Sequence, residues 1–129
     1  MKKIIKRVNL IDQWRSDERK ILPVVKKILS SGEYIGSDLI STLEKKIAKY
    51  CGTKFAVCTN SGTDALTLGM YLLNIKKGDE VITPPNSFIA SAASIAHLGA
   101  KPVFADVNSD QLIDPSEIEK KISKKTKAI

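Results

Sequence analysis

From residue 54 onward, short apolar runs of strand composition alternate with longer stretches of helical periodicity, and this alternation limits the fold more than any other feature of the chain. The runs at 54–58, Glu80-Val81-Ile82-Thr83, Lys101-Pro102-Val103-Phe104-Ala105 and Thr126-Lys127-Ala128-Ile129 read as strands. Helices are predicted between them, over 63–74, 86–98 and 115–125. A strand followed by a helix and then another strand closes most readily as a parallel crossover. The expectation is therefore α/β, a largely parallel sheet with helices on both faces and ligands at the carboxyl ends of the strands.

Local chemistry supports each boundary. Lys76-Lys77-Gly78-Asp79 has turn composition, and Pro84-Pro85 stops the second strand because proline cannot donate to a ladder. Asp114 caps a helix with Pro115 at its first position. The 63–74 helix carries Ala65, Leu66, Leu68, Met70, Leu72 and Leu73 over most of its circumference, so it is expected to lie against the sheet. The 86–98 helix starts at Asn86-Ser87-Phe88, and its many alanines imply close packing. His97 falls in its last turn, where a surface donor or a cation is favoured.

The N-terminal third reads differently. Ile21, Val24, Val25, Ile28 and Leu29 form an apolar stripe within a helical segment at 12–31, and Pro23 makes it either one kinked helix or two short ones. Ser31-Gly32 ends that segment. Glu33-Tyr34-Ile35-Gly36 is a loop whose Tyr and Ile either pack or touch something outside the domain. Ser37 is expected to cap a helix bearing Leu39, Ile40, Leu43, Ile47 and Tyr50, which Gly52 stops.

A chain of 129 residues, 43% hydrophobic, suits one domain with a real core. The apolar start Ile4-Ile5 is cut off by Lys6 and Arg7, and no signal peptide or membrane span can be drawn, so a cytoplasmic location is expected. Cys51 and Cys58 fit no zinc or redox spacing and read as core or near-core thiols; no metal site is expected. The net charge of +7 invites a nucleic-acid partner. However, the lysines come as scattered pairs without interleaved aromatics, so solvated helix faces explain them better.

Chemistry concentrates at Asn60-Ser61-Gly62-Thr63-Asp64, between the first strand and its helix. A helix start presents unpaired N–H groups and partial positive charge, and small residues let an anion come close. The same residues also make an ordinary N-cap cluster, and on the turn alone both readings stand.

Three motifs in order carry a resemblance over essentially the whole chain: Asn60-Ser61-Gly62-Thr63-Asp64-Ala65-Leu66, Gly78-Asp79-Glu80-Val81-Ile82-Thr83-Pro84 and Gly99-Ala100-Lys101-Pro102-Val103-Phe104. Together they resemble the DegT/DnrJ/StrS-type sugar aminotransferases. The resemblance implies the aspartate-aminotransferase-like (fold type I) architecture and pyridoxal 5′-phosphate (PLP) as cofactor. Residues 1–129 would be the N-terminal part of the PLP-binding large domain, with a helical arm and loop over 1–36 and αβ units over 37–129. Gly62, Thr63 and Asp64 match the turn that holds the cofactor phosphate, and Phe88 the position whose ring stacks on the pyridine. Read alone, Phe88 is a core residue. Tyr34, Ile35 and Gly36 match a loop near the substrate in family dimers.

The resemblance further implies transfer of an amino group from an amino acid, glutamate being the expected donor, to a keto sugar linked to a nucleotide, by a homo-oligomer. Family members are much longer. The lysine that carries the cofactor and the acid that pairs with its ring nitrogen are expected beyond residue 129, so no catalytic residue is assigned and the chain alone is expected to be inactive. A sheet ending there is also expected to leave an open edge and to self-associate. The alternative is a non-catalytic regulatory or binding protein with a basic surface.

Overall fold

The computed structural model describes residues 7–36 and 38–129. The Ile4-Ile5-Lys6 start and the Ser37 cap lie outside the described residues. The chain divides into two compact units, Met1–Cys58 and Thr59–Ile129.

The first unit is helical, with α1 at Leu10–Ser31 and α2 at Asp38–Cys51. α1 is one helix that runs through Pro23, although Pro23 has no N–H to offer the carbonyl of Arg19. It ends where Gly32 enters the left-handed region at φ 71°, a conformation glycine adopts without a Cβ penalty. None of its residues is buried. In α2 only Ala48 is buried, and Leu39, Ile40, Leu43 and Ile47 are all exposed.

Residues 54–58 form no strand. Their composition is right, but a strand also needs a ladder, and side chains occupy the backbone groups instead. Phe55 C=O accepts from the Thr53 hydroxyl at 2.9 Å, and Cys58 N–H donates to Glu44 Oε1 at 2.8 Å. Cys51 and Cys58 are free and exposed, not core thiols, because one ends α2 and the other sits in this unpaired segment.

The second unit contains α3 (Gly62–Leu72), β1 (Glu80–Thr83), α4 (Ala90–His97), β2 (Lys101–Phe104), α5 (Pro115–Lys121) and β3 (Thr126–Ala128). The strands form one parallel sheet in the order β2-β1-β3. β1 pairs in register with β2 from Glu80↔Lys101 to Thr83↔Phe104, and with β3 at Glu80↔Thr126 and, after an irregularity, Val81↔Ala128. Val81, Ile82 and Thr83 are all buried although successive side chains point to opposite faces, so this central strand is covered on both sides, as parallel sheets require. Val81 packs in a cluster with Ile75, Ile95 and Ala100, which Met70, Leu98 and Ala128 border. Ile82 is 1% exposed, and burying such a side chain contributes roughly 2–3 kcal/mol.

The alanine-rich α4 packs on β1 and β2. Its Ser94 is fully buried, with the hydroxyl donating to the Ala90 carbonyl at 2.7 Å. α3 packs chiefly on α4 and does not lie flat on the sheet. An apolar groove of about 560 Å³, lined by Leu66 and Met70 of α3, Ile82 of β1 and Ile129, opens beneath it. None of the residues of α3 is buried, which is the cost of that opening.

Two helices are shorter than their periodicity predicts. α4 begins at Ala90 because Asn86-Ser87-Phe88 lie in a turn, with Ser87 N–H donating to the Pro85 carbonyl. α5 stops at Lys121, where the Ser123 and Thr126 hydroxyls accept from the Lys125 and Ser123 N–H groups and close a turn ahead of β3. Among the described residues no helix is long and apolar enough to cross a membrane.

Candidate functional site

Ser61 is in extended conformation and caps α3: its Oγ accepts from Asp64 N–H at 3.1 Å, and its carbonyl accepts from Ala65 N–H. The Asp64 carboxylate accepts from Asn60 Nδ2 at 3.0 Å, and the Thr59 hydroxyl donates to the Ser61 carbonyl at 2.9 Å. The turn is thus braced from both ends. Among the described residues, the N–H groups of Gly62 and Thr63 and the Thr63 hydroxyl find no partner.

Gly62 sits at the first helical position. A Cβ placed there would meet nothing within 4 Å, so the space beside the Gly62 Cα is open. The chain itself does not require glycine at this position; only an approaching ligand would. Asp64 N–H already serves the cap, which leaves Gly62 and Thr63 as the donors that point outward. Two outward N–H groups, a hydroxyl and the positive end of a helix suit an anion of phosphate size.

Phe88 follows β1, in the turn that leads to α4. It is 77% exposed, so the core-residue reading does not hold and its ring faces outward. The turn is held by Ser91 N–H donating to the Phe88 carbonyl at 3.1 Å and by the Ser87 and Ser91 hydroxyls 2.8 Å apart. Asn86 Nδ2 donates to Gln111 Oε1 at 2.9 Å, across a separation of 25 residues. Neither Asn86 nor Gln111 stands out in the sequence; the Asn108-Ser109-Asp110 cluster signals a turn, but not what that turn touches.

Tyr34, Ile35 and Gly36 belong to the first unit. The Tyr34 hydroxyl donates to the Leu29 carbonyl at 3.0 Å, Gly36 has φ 70°, and Ile35 is 95% exposed. Packing within the described residues therefore does not account for Ile35. His97 is exposed at the end of α4. Among the described residues no three His, Cys, Asp or Glu side chains gather as metal ligands.

Two carboxyls carry perturbed acidities. Glu80 is held below the usual carboxylate range, first by the Ser123 hydroxyl at 2.6 Å and then by Lys101 at 3.2 Å. Asp114 is likewise lowered, by the hydroxyl and then the N–H of Ser116, each at 2.8 Å, in its role as cap of α5. Both are structural pairs away from the 60–64 turn.

Residues 15–129 match the model of the DegT/DnrJ/EryC1/StrS aminotransferase family. The chain is 42% identical over 114 residues to the dTDP-3-amino-3,6-dideoxy-alpha-D-galactopyranose transaminase of Aneurinibacillus thermoaerophilus, covering 87% of this chain and 31% of that one. The structure of S. venezuelae DesV in complex with a ketimine intermediate superposes with a TM-score of 0.86 at 33% identity, over 95% of this chain and 33% of DesV. That of NtdA from Bacillus subtilis with bound cofactor PMP superposes with a TM-score of 0.82 at 30% identity, over 96% of this chain and 30% of NtdA. The chain spans about a third of the length of the relatives it matches.

Proposed function

The chain belongs to the DegT/DnrJ/EryC1/StrS aminotransferase family, whose members use PLP, and from that premise we propose that it is the phosphate-holding part of a sugar transaminase. The reaction would move an amino group from an amino acid, glutamate, to the keto group of a nucleotide-linked sugar. The observation that carries the proposal is the pair of unpartnered N–H groups of Gly62 and Thr63 at the start of α3, beside a Gly62 whose Cα has open space around it. PLP, when bound, supplies an electron sink for the carbon that exchanges the amino group.

Each residue's part follows from its chemistry. Gly62 and Thr63 would hold the phosphate through two N–H groups and a hydroxyl, with Asp64 fixing the turn through Ser61 and Asn60. Phe88 offers an exposed ring that could lie on a pyridine face and set its tilt. Tyr34, Ile35 and Gly36 would meet the substrate, with Ile35 the side chain free to do so. The exposed apolar stripe of α1, including Leu22, Val25 and Leu29, supports self-association as a homo-oligomer.

The 129 residues alone are proposed to be inactive, because none of their lysines sits in a context that matches the family's cofactor lysine. Incubation with PLP, borohydride reduction and peptide mapping would test this alongside an assay with glutamate and a nucleotide-linked keto sugar. Label spread over several surface lysines, with no turnover, is the expected result. One stoichiometrically labelled lysine together with turnover would overturn the proposed inactivity.

A further inference from the structure

Gln111 reaches the 84–89 turn with its side chain from 25 residues away in sequence, whereas the other outside side chains bonded to the 60–64 and 84–89 turns among the described residues, those of Thr59, Thr67 and Ser91, are near neighbours in the chain. Asn108 and Leu112 close a short hairpin: Asn108 N–H donates to the Leu112 carbonyl at 2.9 Å, and Gln111 N–H donates to the Asn108 carbonyl at 3.0 Å. The base of the hairpin is the antiparallel bridge Val107↔Ile113, reinforced by Asp114 N–H on the Asp106 carbonyl. At its tip Gln111 has φ 69°, in the left-handed region that glycine and asparagine occupy far more readily. A glutamine there is strained by its own Cβ, and glycine would relieve that strain. What glutamine supplies and glycine cannot is a side chain long enough to reach Asn86.

Asn86 lies two residues before Phe88. Ser91 ties the Ser87 hydroxyl and the Phe88 carbonyl of this turn, but among the described residues Asn86 has no hydrogen bond besides the one to Gln111. We propose that Gln111 is a positioning residue for Phe88: its side-chain oxygen holds Asn86, and through it sets where the Phe88 ring stands. The inference rests on the reading of Phe88 as the ring that meets the cofactor. The strained conformation at the hairpin tip places a side chain that fixes a second turn, one that carries an exposed aromatic.

The experiment compares Gln111→Gly, Gln111→Glu and Phe88→Ala in the intact chain. Three quantities are read: thermal stability, NMR order parameters of the 86–88 amides without ligand, and binding of pyridoxamine 5′-phosphate, which cannot attach to surface lysines. Gln111→Gly is expected to keep or raise the melting temperature, lower the order parameters at 86–88, and weaken binding about three- to tenfold, the worth of one hydrogen bond. Gln111→Glu keeps an acceptor for Asn86 and is expected to restore order and binding. Unchanged order at 86–88 in Gln111→Gly, or failure of Gln111→Glu to restore it, overturns the inference. If Phe88→Ala leaves binding unchanged, or if no binding is seen in any form, the reading of Phe88 fails, while the ligand-free order parameters still decide the role of Gln111.

Discussion

The first unit carries amphipathic stripes and the second carries helices apolar over most of their circumference, and only the second builds a buried core. α1 and α2 present stripes at helical spacing, yet nothing in α1 and only Ala48 in α2 is buried. In the second unit, short strands and an alanine-rich helix bury Ile75, Val81, Ile82, Ile95 and Ala105. Periodicity states which face of an element is meant to be covered, and only packing states whether this chain covers it. The second unit therefore has a buried core of its own, whereas the apolar stripes of the first lie exposed.

The sharpest way to break this contrast is to truncate one apolar side chain on each side of it. Ile82→Ala is expected to destabilise the second unit by about 2–4 kcal/mol, through lost burial and the cavity it leaves. Leu29→Ala, at an exposed position of α1, is expected to change unfolding free energy by no more than about 0.5 kcal/mol while shifting sedimentation toward smaller species. Denaturant unfolding and sedimentation velocity read both effects. Comparable stability losses from the two substitutions would mean that α1 is part of one shared core.

A smaller effect sharpens the same contrast by pH. The folded-state acidities of Glu80 and Asp114 lie below the ordinary carboxylate range, so the stability they add is fully present above that range. It is lost as pH falls through the lowered values. Melting temperature followed from neutral pH into acid should decline there, and Ser123→Ala, which removes the largest cause at Glu80, should flatten part of the decline. An acid profile identical in the variant would show that the Ser123 contact contributes nothing to stability.

The legible and illegible parts of the chain divide along physical lines. β1, β2, β3 and the cap of α5 are readable because a few neighbouring residues determine them, Pro84-Pro85 as a stop and Asp114 as a cap, and the 60–64 cluster marks the start of α3 without singling out Ser61. The 54–58 run was misread because strand formation depends on a partner, and composition cannot reveal that Thr53 and Glu44 take its backbone groups. The exposure of Cys51 and Cys58 follows from the same cause. Of the candidate site, the Gly62-Thr63 donors could be seen in the sequence as a small-residue turn before a helix. Gln111 could not, since neither its φ nor its bond to Asn86 leaves a local trace.

The central claim is that the start of α3 is a phosphate seat, and amide NMR during titration with pyridoxamine 5′-phosphate tests it most directly. The account expects the Gly62 and Thr63 amides to shift first and most, together with the Phe88 ring. In Gly62→Val, where the added Cβ would meet nothing within 4 Å but the side chain would stand in the path of a phosphate, fold and stability should persist and those shifts should vanish. Shifts confined to surface lysines, with Gly62 and Thr63 unmoved at saturation, would contradict the claim.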